Sequence, residues 1–188
     1  MRASTVTPFQ VPAHGRTGVR FYAELCLIGF ITYILHEAAH FLAGTLLGAQ
    51  MQPSLNGVRY LTPLRAGQRA FVDIAGPMVT VLQAALAYVA VKHGGSLRAF
   101  GFLYMAAFMR AVAGLVSFKM LNDEARVSLF LHLPVWLLPV AVAGALMALV
   151  ALASRRLRLG WKTQLLCYLV ASVTTSLIVG SDFLYTRR

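Results

Sequence analysis

Acidic residues are scarce in this chain. Six Asp and Glu occur in 188 residues, against seventeen Lys and Arg, and charged residues of both signs make up 12% of the total. With 59% hydrophobic residues and a mean hydropathy of +0.70, so little charge excludes an ordinary soluble domain and points to a polytopic membrane protein. Cysteine is nearly missing. Cys26 and Cys167 both fall in apolar segments, so no disulfide framework is implied. Internal repeats and low-complexity tracts are missing as well, which sets aside a repeat architecture. No stretch interleaves basic and aromatic residues as a nucleic-acid surface would. The net charge of +11 is therefore assigned to anionic lipid headgroups flanking the apolar runs, and no nucleic-acid partner is expected.

Five hydrophobic runs are present: about Phe21–Leu47, Arg69–Val91, Leu97–Met120, Val127–Ala153 and Trp161–Tyr185. Each is near or above the roughly 20 residues needed to cross the hydrocarbon. The expected fold is all-α, with about five transmembrane helices in a single domain over residues 21–188, preceded by a flexible basic tail over residues 1–20 containing Pro8 and Pro12. The first run is too long for a signal-peptide core and is expected to be retained. Pro134 and Pro139 mark the entry or a kink of the fourth. Five spans put the termini on opposite sides, and a split of nine basic residues against seven barely orients the chain.

Inside the first run stands His36-Glu37-Ala38-Ala39-His40. Two imidazoles and a carboxylate are expensive to place in a membrane and are rarely there without a function. Residues four apart lie one above the other on a helix face, so His36 and His40 can offer ring nitrogens to one metal ion at roughly 2.0–2.1 Å. Glu37 is turned about 100° around the axis, outside the ligand shell but within reach of a water whose pKa zinc lowers to about 7. Chance produces H-E-x-x-H in well under roughly 1% of chains of this composition.

A catalytic zinc usually takes three protein ligands. Span directions bring Asp73, Gly76-Pro77, Asp123 and Glu124 to the depth of the histidines. Asp123 is the expected third ligand, with Glu124, His132 and Asp73 as alternatives. Asn122 is also placed to cap a following helix, where acids in the first turn favour the dipole, and Asp73 to pair with a basic residue such as Arg69. Glu24 lies near the opposite face. Arg110, near mid-membrane in the third span, is placed to pair with a carboxylate, bind a carbonyl or snorkel, and no chemistry is assigned to it. Gly76-Pro77 permits close helix contact or a backbone break. The longest hydrophilic connection, Gly48–Gln68, contains Asn56-Gly57, and Val58, Arg59, Tyr60 and Leu61 after that turn are expected to form a short strand or a plain loop.

With His36-Glu37-Ala38-Ala39-His40 in an early span, Ala75-Gly76-Pro77 opening the next and Asp123 after the third, the chain over roughly residues 21–130 resembles the site-2-protease type of intramembrane zinc metalloprotease. The resemblance implies one zinc per chain, hydrolysis of a peptide bond in or near a substrate's transmembrane segment, Glu37 as general base and acid, and an Asp as third ligand. It departs from the family around Leu121-Asn122-Asp123-Glu124-Ala125-Arg126, where no Gly follows the Asp and no N-x-x-P precedes it. No PDZ or CBS regulatory domain fits in the length. Residues 58–61 are expected to hold an extended substrate segment by strand addition. The expected location is a bacterial inner (cytoplasmic) membrane. The alternatives are a metal- or ion-handling transporter and a catalytically inactive protease-like scaffold. No Glu-Glu pair supports the prenyl-protein protease type.

Overall fold

The computed structural model describes residues 17–186. Its elements are α1 (Val19–Leu46), β1 (Met51–Ser54), β2 (Gly57–Tyr60), α2 (Ala66–Gly94), α3 (Leu97–Val116), α4 (Asp123–Phe130), α5 (Leu137–Arg156) and α6 (Trp161–Thr186). Most of the expected N-terminal tail, residues 1–16, lies outside the described residues, and Val19 and Arg20 already belong to α1. Five of the helices, α1, α2, α3, α5 and α6, are long and apolar enough to cross a membrane. The chain is thus mostly helical and consistent with a multi-pass membrane protein.

The expected fourth span, Val127–Ala153, is not one helix. Residues 123–130 form the short α4, and the chain turns before α5 begins at Leu137. His132 adopts φ +57°, and Leu133 N bonds to Ser128 O while His132 N bonds to Leu129 O. This is a Schellman closure, with a left-handed residue just past the helix. Pro134 two residues on cannot resume the α4 ladder. Pro139 sits harmlessly in the first turn of α5, and Ser128 Oγ accepts from the otherwise orphaned Leu138 N at 3.3 Å. The same closure ends α1 at Gly48 (φ +77°) and α5 at Arg158 (φ +53°).

β1 and β2 pair antiparallel, with Met51 opposite Tyr60 and Ser54 opposite Gly57. The strand expected over 58–61 exists, shifted by one residue. The turn is Leu55-Asn56 rather than Asn56-Gly57: Gly57 belongs to β2, and its carbonyl accepts from Ser54 Oγ at 2.9 Å. Leu61 lies just beyond the strand, where its N–H still reaches Gln50 O at 2.8 Å.

Helices α1, α2 and α3 pack on one another; α5 lies on α3, α6 on α1, and α4 on α2. Lipid tails are as apolar as leucine, so close packing of small side chains has to hold such helices together. Ala84, Ala106, Ala107, Ala153 and Ala171 are accordingly all buried at the contacts, beside Leu25, Phe100 and Leu103. Gln83 ties the three central helices, its Nε2 donating to Thr32 Oγ1 at 2.9 Å and Phe102 O at 3.1 Å. At the α1 N-terminal end, Glu24 is held by Arg20 and Arg98, far from the histidine pair as expected. The other end of the bundle collects the remaining acids.

Candidate metal centre

α1 is continuous through His36 and His40, so the two rings lie on one face, 4.7 Å apart between centroids and nearly perpendicular. Both residues are buried. They face α2 at Gly76, where a Cβ would run into His40 Nε2 and stand 2.5 Å from His36 Cε1 and 2.8 Å from His36 Nδ1. Glycine is required there because the helix backbone itself walls the histidine pair. Pro77 follows, removing an N–H from the ladder in the middle of α2.

The third donor comes from 87 residues away in sequence. Asn122 caps α4, its side chain accepting from Ala125 N at 2.9 Å, and this starts the helix so that Asp123 turns towards α1. Asp123 sits in the first turn of a capped helix and also meets the histidines. His36 Nε2, His40 Nε2 and Asp123 Oδ2 form a triangle with edges of 3.1, 3.2 and 3.4 Å. Ligands at 2.0–2.1 Å around a tetrahedral zinc stand about 3.3–3.4 Å apart, so the triangle has the size of one face of such a site. Among the described residues these three are the group able to hold a metal ion.

The hydrogen bonds behind the triangle set the tautomers. His40 Nδ1 lies 2.6 Å from Val72 O, a carbonyl that only accepts. His36 Nδ1 lies 3.0 Å from Thr80 Oγ1, whose own proton goes to Gly76 O. Each ring therefore carries its proton on Nδ1 and points an Nε2 lone pair inwards. Two lone pairs and a carboxylate oxygen then meet, with Arg110 Nη2 3.4 Å from His36 Nε2 as the nearby N–H donor, and a cation between the three would relieve their mutual repulsion. A proton added to one Nε2 would make that ring an imidazolium and serve one or two of the three edges. A divalent ion serves all of them.

Two arginines frame the carboxylates. Arg126 bridges Asp73 (Nε to Oδ1, 3.0 Å) and Asp123 (Nη2 to Oδ1, 2.6 Å), leaving Asp123 Oδ2 for the triangle. Arg110 pairs with Glu124 at 3.0 Å and stands 3.7 Å from Asp123 Oδ2. A cavity of about 1110 Å³ is bordered by Glu37, Asp73, Arg59, Arg110 and Arg126 together with the donor triangle.

The chain matches no family model, no curated protein and no solved structure. The site is therefore read from its own geometry. Of the residues expected from sequence, His36, Glu37, His40 and Asp123 come together at this cavity, and Val58, Arg59 and Tyr60 line another part of it. Leu61 does not; it is exposed beyond the end of β2. Among the alternative ligands, Glu124 is occupied by Arg110 and by Asn122 Nδ2. His132 is an exposed helix-closing residue. Asp73 lines the cavity but pairs with Arg126, whereas Arg69 instead donates to Leu64 O at 2.9 Å and lies over the Tyr60 ring. The residues missed from sequence were Thr80, the Val72 carbonyl and Arg126. Only Arg126 carried a local signal, three positions after Asp123 on one helix face.

Proposed function

We propose that this protein is a zinc-dependent peptidase of the membrane interior, similar to the site-2-protease type, that hydrolyses a peptide bond in or near a transmembrane segment of its substrate. The observation that carries the reading is the meeting of His36 Nε2, His40 Nε2 and Asp123 Oδ2, all three as lone-pair donors, at the mutual spacing of a tetrahedral face. Zinc bound there supplies Lewis acidity and lowers the pKa of a water to about 7.

The remaining work falls to the chain's own groups. Glu37 lines the cavity beside the triangle and takes the proton from the attacking water, then returns it to the departing nitrogen. Val72 O and Thr80 hold the rings in the tautomer that presents Nε2. Asp123 is oriented by Arg126. β2 borders the same cavity through Val58, Arg59 and Tyr60, so an extended substrate segment pairing with the hairpin edge would bring its backbone to Glu37. The cavity gives water a route that lipid does not.

The test is metal analysis and turnover on the detergent-purified full chain. Wild type should carry one zinc, lost in His36→Ala and in Asp123→Ala. Glu37→Gln should keep zinc and lose cleavage of an internally quenched transmembrane peptide by at least about 100-fold. A zinc-loaded wild type that leaves such peptides intact sinks the proposal and leaves a metal-holding scaffold or carrier.

A further inference from the structure

Arg110 is the one ionised side chain of α3 buried in the bundle, with 3% of its side chain exposed. A guanidinium inside a span is costly, and such groups face protein or water and mark function. Its Nη1 is anchored by Glu124 Oε1 at 3.0 Å, and Glu124 is itself held through Oε2 by Asn122 at 2.9 Å. This chain of contacts fixes the guanidinium on a helix whose neighbouring Ala106, Ala107 and Met109 are all buried.

What the guanidinium faces is informative. Nη2 lies 3.4 Å from His36 Nε2, and Nη1 3.7 Å from Asp123 Oδ2. Both are the inward-pointing atoms of the donor triangle. The outward atoms of the same residues are taken by Thr80 and Arg126. Arg110 therefore stands on the reacting side of the centre, in the cavity that also holds Glu37. Among the described residues its Nε–H has no hydrogen-bond partner. An unused buried donor is costly and calls for an explanation.

We propose that Arg110 is a catalytic residue of this site, its guanidinium binding the carbonyl oxygen of the scissile peptide and stabilising the negative charge that develops there. The inference rests on the peptidase reading above. As water adds to the carbonyl carbon, a C–O bond forms, the π electrons move onto the carbonyl oxygen, and the proton passes to Glu37. Arg110 meets that oxygen with N–H donors already fixed in a low-dielectric site, where such donors act most strongly. The C–N bond then breaks, the carbonyl reforms, and Glu37 delivers the proton to the amine. The products are one carboxylic acid and one amine for each water consumed.

The experiment compares wild type, Arg110→Lys and Arg110→Ala as zinc-loaded full chains. Three quantities are read: bound zinc, kcat and KM for the quenched transmembrane peptide, and the Kd of a phosphonamidate analogue of that peptide, a tetrahedral anion. Both variants should keep one zinc and nearly unchanged KM, while kcat falls about 10²–10³-fold and phosphonamidate affinity falls in parallel. Millimolar guanidinium ion should restore part of the turnover of Arg110→Ala and none in Arg110→Lys. Unchanged kcat, or zinc lost from both variants, overturns the assignment. A fall in kcat with phosphonamidate binding intact and no rescue reduces Arg110 to a structural partner of Glu124 and also overturns it. If zinc-loaded wild type neither cleaves the peptide nor binds the phosphonamidate, the peptidase reading itself fails; if it does both and only the variants behave like wild type, this inference fails alone.

Discussion

Replacing Gly76 by alanine adds one methyl group to α2 at the wall of the histidine pair. In helix propensity the change is favourable by about 0.8–1.0 kcal/mol, and overpacking in a tight contact costs about 1–3 kcal/mol, so the metal-free fold should lose no more than about 2 kcal/mol. The centre should fare much worse. The new Cβ would stand 2.5 Å from His36 Cε1 and crowd His40 Nε2, where ordinary contact begins near 3.4 Å. At least one ring must retreat by roughly 0.9 Å, against a tolerance of about ±0.2 Å in metal–ligand distance. Zinc affinity should fall by at least about 100-fold, the upper end for disturbing a ligand's support. The assay is competition with a chromophoric chelator on purified protein, beside thermal unfolding of the metal-free form. Gly94→Ala, near the C-terminal end of the same helix with nothing within 4 Å of the added Cβ, serves as the control. A Gly76→Ala protein that binds zinc like wild type would refute the claim that the approach of α2 sets the position of the two rings.

Thr80→Val removes the acceptor of His36 Nδ1 and should weaken zinc about 10- to 100-fold in the same competition assay, with secondary structure by circular dichroism unchanged. Glu124→Ala strands the buried Arg110 guanidinium and should destabilise the fold by about 3–5 kcal/mol, read as a shift in the detergent-denaturation midpoint; an unshifted midpoint would mean the pair contributes nothing to folding. Replacing Val58, Arg59 and Tyr60 by Gly and Ser should leave zinc in place and lower peptide cleavage, through KM more than kcat. Unchanged cleavage would exclude the hairpin edge from substrate binding.

How far the molecule was legible in sequence differed from element to element. Long apolar runs announce membrane-length helices because length and hydropathy are properties of each segment alone. Five such helices are present, and Asn122 as a helix cap was readable for the same local reason. The run from Val127 to Ala153 misled because hydropathy does not register a reversal. The signals there were a proline and a histidine closing a helix in a left-handed conformation, and the second has almost no sequence signature. The hairpin was readable from β-prone residues beside a turn, while its register was off by one because either of two neighbouring dipeptides could occupy the turn.

Sequence by itself determined that this chain has membrane-length helices and that two histidines four residues apart share a face of the first, since helical pitch alone brings i and i+4 together. It narrowed the third donor to four candidates and went no further. Only the tertiary structure decided that Asp123 completes the triangle, that Glu124 belongs to Arg110 and Asp73 to Arg126, and that Val72 O and Thr80 orient the rings. These contacts join residues from 14 to 87 positions apart. Which of several equally charged side chains meets which partner depends on how helices cross and where each chain segment turns, and that geometry is a property of the packed bundle rather than of any stretch within it.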